Sequence, residues 1–116
     1  MRIAPGTRVY LACRPVSMRK GFDGLAAEVA SLMKADPFSG SAFLFRSRRG
    51  DYLKALHWDG SGLCLYAKRL ETGRFVWPAI VDARLKLSAG QLALLIEGID
   101  WRRAVAPRAP AQPAVL

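Results

Sequence analysis

Acidic residues are scarce in this chain. Asp and Glu number 9 against 18 Lys and Arg, a formal net charge of +9 over 116 residues. Solubility of a small domain calls for a magnitude of only about 2–8, and an excess of this sign is the footprint of a nucleic-acid binder. Free use of arginine in a GC-rich genome is the alternative that charge alone leaves open. Cysteine and histidine are sparser still, with Cys13, Cys64 and His57 the whole supply. Three such residues cannot build a four-ligand zinc site, and the apolar, strand-like surroundings of both cysteines predict buried free thiols. No apolar run approaches the ~20 residues of a membrane span. The start, Met1-Arg2-Ile3-Ala4-Pro5-Gly6, lacks the apolar region and cleavage site of a signal peptide. A soluble cytoplasmic protein is expected, with no membrane partner.

Catalytic signatures are missing as well. There is no Gly-x-Ser-x-Gly, no phosphate-binding glycine loop with its Lys-Ser/Thr, and no His-Glu-x-x-His. Asp23, Asp51, Asp59 and Asp82 are the carboxylates available to a metal. Three of them stand in turn or cap contexts, where aspartate serves the backbone. The expectation is a protein that is not an enzyme, with no cofactor and no metal.

What is present is a hydrophobic fraction of 52%, enough for one folded domain over residues 1–103. The Ala/Pro-rich stretch 104–116 has little to bury and is expected to be a disordered tail. Residues 43–78 organise the domain: strand-length apolar runs alternate with Arg-Gly-Asp, Asp-Gly-Ser-Gly and Glu-Thr-Gly, the signal of a β-meander. A turn at 59–62 sets Trp58 opposite Leu63, His57 opposite Cys64 and Leu56 opposite Leu65. A turn at 47–50 sets Phe45 opposite Tyr52, Leu44 opposite Leu53 and Arg46 opposite Asp51. Side chains alternate across a strand, so Phe43, Phe45, Tyr52, Leu56, Trp58, Leu63 and Leu65 share one face. The other face carries Leu44, Arg46, Leu53, Ala55, His57, Cys64, Tyr66 and Lys68, too apolar to be left bare, and something is expected to cover part of it.

Before the meander, residues 8–13 read as a strand. Phe22, Leu25, Ala26, Val29, Leu32 and Met33 then make one apolar stripe on a helix, with Lys34 at its end and Asp36-Pro37 as its stop. After it, residues 74–77 read as a fourth strand and 84–87 as a fifth. Ser88-Ala89-Gly90-Gln91 has the form of a capping box ahead of a second stripe, Leu92, Leu95, Ile96 and Ile99, with Gly98 at its C-terminal end. The predicted fold class is α+β: an antiparallel β-meander of four to five strands, two amphipathic helices and the tail.

The basic residues gather in this scheme. Arg46, Arg48 and Arg49 mark the first hairpin tip, and Lys68, Arg69 and Arg74 flank the third turn at the same end of the sheet. Arginines there suit phosphate clamping. Arg19 and Lys20 precede the first helix, where a phosphate would be welcome but a plain solvated turn explains them equally. Tyr66 and His57 on the second face offer stacking or partner-docking surfaces, whereas Trp58 and Trp77 suit the core.

Several of these segments occur together in a known family. Met18-Arg-Lys-Gly-Phe-Asp-Gly-Leu25, Phe45-Arg-Ser-Arg-Arg-Gly-Asp51, Trp58-Asp-Gly-Ser-Gly-Leu63, Lys68-Arg-Leu-Glu-Thr-Gly-Arg-Phe-Val-Trp-Pro78 and Leu95-Ile-Glu-Gly-Ile-Asp-Trp101 resemble the TnpB, or Orf2-like, accessory proteins of IS66-type bacterial insertion sequences, a group unrelated to the RNA-guided nucleases of the same name. The resemblance spans about Val9 to Trp101 and implies a role in DNA transposition. It implies as partners the transposase, which carries the acidic catalytic residues, and a small accessory protein of the same element. Together with the charge, it leads to an accessory protein that binds DNA, at element ends or without sequence preference, or the transposase–DNA complex. A transposase-docking adaptor without DNA contact is the alternative, and a small basic ribonuclease of the toxin type is a third.

Overall fold

Strand alternation and helical periodicity resolve into eight elements in the computed structural model, which describes residues 3–78 and 84–103. They are β1 (Val9–Ala12), α1 (Phe22–Ser31), β2 (Ala42–Arg46), β3 (Tyr52–Trp58), β4 (Leu63–Arg69), β5 (Arg84–Leu87), α2 (Ala89–Ile96) and a 3-10 turn (Trp101–Arg103). The strands form one sheet in the order β4-β3-β2-β1-β5. The meander β2-β3-β4 is antiparallel as expected, but β1 runs parallel to β2. The sheet is therefore mixed, which corrects the purely antiparallel expectation. The cause lies in the order strand, helix, strand: α1 carries the chain back to the end where β1 began, and a parallel pair needs such a crossover.

One face of the sheet packs on α1. Leu25, Val29 and Met33 from the helix side meet Phe43, Phe45 and Leu56, with Leu63 and Leu65 beside them. The helix stops earlier than Asp36-Pro37 would require. The amides of Leu32 and Met33 both reach the carbonyl of Glu28 (2.8 and 3.3 Å), that of Ala35 reaches Val29 (3.1 Å), and Lys34 takes a left-handed φ of 53°. Phe22, placed in the apolar stripe by spacing, is exposed.

The second face carries Val9, Leu11, Ala42, Leu44, Leu53 and Ala55. It is covered by Leu92 and Leu95 of α2, together with Phe75 and Trp101, so the expected cover exists. The capping box of α2 is present in both directions: Gln91 N–H donates to Ser88 Oγ (3.1 Å) and Ser88 N–H to Gln91 Oε1 (3.0 Å).

The second hairpin has the register read from the sequence, with Trp58 on Leu63, His57 on Cys64 and Leu56 on Leu65. The first is displaced by two residues: Phe45 lies opposite Lys54, Leu44 opposite Ala55 and Arg46 opposite Leu53. Its loop is 48–51 rather than 47–50, closed by Ser47 N–H on the Tyr52 carbonyl (2.9 Å). An even slip leaves every side chain on its face, so the two-sided partition holds. Residues 74–77 form no strand. Their polar groups are used otherwise: Phe75 N–H donates to the Gly50 carbonyl (2.8 Å), Trp77 Nε1 to Ala12 (3.1 Å), and Trp101 Nε1 to Val76 (2.7 Å). The next strand, β5, joins the opposite edge of the sheet beside β1. The thiols are free, but Cys13 is half-buried and Cys64 exposed, because β4 is an edge strand; burial was the expectation. The tail 104–116 and Asp82 lie outside the described residues. Among those described, no helix is long and apolar enough to cross a membrane.

Candidate nucleic-acid interface

The loop 48–51 and the segment that follows β4 are laced together through their backbones. Leu70 N–H donates to the Asp51 carbonyl (2.8 Å), and the Phe75 bond to Gly50 fixes the other side. Gly50 has φ +80°, a left-handed conformation that glycine adopts without strain, and the stem of Arg74 passes within 3.8 Å of where a Cβ would stand. Arg48 and Arg49 on the loop, Arg69 at the end of β4 and Arg74 beyond it are thus held at one end of the sheet, all four exposed. Among the described residues none of these guanidinium groups has a carboxylate partner; the two ion pairs found are Lys20–Glu28 (3.4 Å) and Arg102–Asp100 (2.9 Å).

Three of the four, Arg48, Arg49 and Arg69, line a cleft of about 500 Å³. Another part of its wall is the segment 15–18, anchored by Val16 N–H on the Arg46 carbonyl (3.1 Å). That wall brings Pro15, Val16 and Met18 as apolar surface and Ser17 as a hydroxyl; Tyr52, Ser47 and Asp51 complete the lining. The carboxylate of Asp51 accepts from Ser47 Oγ (3.3 Å). Tyr52 pairs across the strands with Arg69, whose guanidinium carbon stands 5.7 Å from the ring centroid, and Lys54 Nζ is 6.0 Å from the same ring, within the range of cation–π attraction. Lys54 also donates to the Lys20 carbonyl (2.9 Å), tying the approach to α1 onto the sheet. Arg19 and Lys20 therefore follow directly on the cleft wall, with Arg19 N–H on Ser17 Oγ (3.2 Å) and the Lys20 ammonium beside Glu28.

The other expected site residues lie elsewhere. Arg46 belongs to the second face; its Nη1 donates to the Ser47 carbonyl (3.3 Å) and its Nε is buried with no partner among the described residues. Lys68 Nζ donates to the Ile96 carbonyl (2.7 Å), so its charge sits on the C-terminus of α2, where the helix dipole favours a cation. Tyr66 packs against the cluster under α2. His57 Nδ1 lies 3.4 Å from the Ser41 carbonyl. Sequence reasoning missed Tyr52 and Lys54 as site residues. In the expected register Tyr52 faced Phe45 and counted as core; the two-residue displacement, together with Arg69 opposite it, is the signal that would have found it.

At the other end of the sheet, Asp59 closes the β3–β4 turn. Its Oδ1 accepts from the amides of Ser61 and Gly62 (both 2.9 Å) and from Ser61 Oγ (3.1 Å). These bonds, the Ser61 amide first, hold its pKa down at about 2. Loss of solvent around Sγ, and then the Asp59 carboxylate 3.5 Å away, push the Cys64 thiol up, away from the reactive thiolate. No three His, Cys, Asp or Glu residues come together as metal ligands among the described residues.

A small mixed sheet with a helix on each face and an arginine-lined cleft at one end defines an α+β protein whose most distinctive side chains suit an anionic ligand. The sequence matches the IS66 Orf2-like proteins over residues 7–106, and the chain belongs to that family, the TnpB accessory proteins of IS66-type insertion sequences. It is thus a transposition-associated accessory protein. Two proteins of Sinorhizobium fredii are similar to it. Uncharacterized protein y4jC is 44% identical over 98 residues, covering 84% of each chain, and uncharacterized protein y4hO is 45% identical over 95 residues, covering 82% of this chain and 83% of its own. No solved structure matches the chain.

Proposed function

We propose that the protein serves transposition by gripping DNA through its sugar–phosphate backbone, at the element ends or within the transposase–DNA complex, and that it does so without catalysis. Arg48, Arg49, Arg69 and Arg74 supply the grip, with Arg19 and Lys20 extending it along the approach to α1. The observation that carries this reading is four exposed arginines at one end of the sheet, three of them lining one cleft, free of carboxylate partners among the described residues. Arginine's planar fork matches phosphate oxygens bidentately. Such contacts position a protein on DNA without reading sequence, in keeping with an accessory that leaves the chemistry to the transposase. DNA of the bacterial cytoplasm is the ligand on this reading, and the transposase and the small accessory protein of the same element are the partners it would meet there.

Arg46 and Lys68 drop out of the binding set, since one is turned into the second face and the other caps α2. Tyr66 is half-buried against the cluster under α2, which reduces the surface that docking of a transposase through Tyr66 and His57 would use. Fluorescence anisotropy with labelled duplex DNA tests the proposal. Replacing Arg48 and Arg49 with Gln is expected to weaken binding by tenfold or more, and equal affinity in wild type and variant would reject it.

A further inference from the structure

The cleft holds more than a phosphate grip requires. Beside its arginines stands an aromatic ring, Tyr52, with the Arg69 guanidinium carbon 5.7 Å from its centroid, and the apolar side chains of Pro15, Val16 and Met18 line the same cleft. A duplex backbone offers nothing to a recessed ring and a thioether. An unpaired nucleotide does: its base has a π face for aromatic rings and guanidinium planes, while its phosphates remain at the rim within reach of Arg48 and Arg49. The cleft's volume of about 500 Å³ lies in the usual range for a small-ligand site. Ser17, Tyr52 and Asp51 line the same space, and their hydroxyls and carboxylate give donors and an acceptor for a base edge.

We infer that this cleft receives a base of single-stranded DNA, stacked on the Tyr52–Arg69 pair against Met18, so that the protein prefers unpaired over duplex DNA. The inference rests on the DNA-binding reading above and adds the form of the ligand. It places the protein on strands opened or cut during transposition rather than on intact duplex.

The test is anisotropy titration of the full chain with labelled oligothymidine and with a duplex of equal length, in the same buffer. The single strand is expected to bind more tightly. Tyr52→Leu keeps most of the side-chain volume and removes the π face; it should lower single-strand affinity about tenfold, the order found for loss of one aromatic stack, and bring it toward that of the duplex. Tyr52→Phe, which keeps the ring, should retain the preference, and thermal melting of both variants shows that the fold is intact. Duplex bound as well as single strand, or a preference that survives Tyr52→Leu, overturns this inference and leaves the backbone grip standing. Failure to bind either form overturns both.

Discussion

Gly50 sits at φ +80° beneath the stem of Arg74, with its carbonyl taken by Phe75 N–H. A Cβ there meets Arg74 at an ordinary contact distance, so the cost of Gly50→Ala comes from the backbone, about 1–2 kcal/mol. Gly50→Asn should cost less, because asparagine tolerates the left-handed region; urea titration of the two variants makes the comparison, and equal stability of Ala and wild type would show that the loop relaxes freely. Lys68 gives a contrasting case. Its ammonium on the Ile96 carbonyl is a charge-assisted bond at a half-buried site, and Lys68→Met should cost about 1 kcal/mol with DNA affinity unchanged. Asp59 sets a pH dependence whose sign follows from its lowered pKa. Its contribution to stability is complete above the ordinary carboxylate value of 3.8 and is lost as pH falls through about 2. A carboxyl titration followed by NMR should show a midpoint near 2 for Asp59, and a midpoint near 3.8 would mean the turn is not closed by this side chain.

At the scale of elements, patterns contained within one segment were legible in the sequence and couplings between segments were not. The capping box at Ser88 and Gln91, the α1 stripe through Leu25 and Val29, and the Asp59 hairpin with its register all follow from near neighbours. Ser88→Ala should accordingly destabilise the domain by about 1 kcal/mol in a thermal melt. The first hairpin depends on more than its own turn residues: Asp51 is held by Leu70, and this distant bond goes with a loop one residue further on and a pairing shifted by two. Residues 74–77 have a strand's composition, yet their bonds go to Gly50, Ala12 and Trp101. A short apolar run does not distinguish these uses. The parallel pairing of β1 with β2 was open to inference, since a strand, a helix and a strand in succession is the connection that parallel neighbours need.

At the scale of the molecule, the sheet separates two duties. Its second face is covered by α2, Phe75 and Trp101, which half-buries Lys68 and Tyr66 and ties the Lys68 ammonium to the Ile96 carbonyl. Its arginine-bearing end leaves Arg48, Arg49, Arg69 and Arg74 exposed beside the Tyr52 cleft. The expected set was six basic residues near two turns, Arg46 and Lys68 with these four, but which of them stay free depends on long-range packing: Lys68 and Arg46 alternate onto the covered side, whereas Arg69 alternates toward the cleft. Phosphate contacts release counterions, so log affinity should fall linearly with log salt by about 0.9 per contact on duplex DNA. The most direct measurement is that slope, taken by anisotropy for wild type and for Arg48→Gln, Arg69→Gln and Arg74→Gln. Each substitution is expected to flatten it by roughly 1; binding that ignores salt, or slopes that all three variants leave untouched, would contradict a grip built from these arginines.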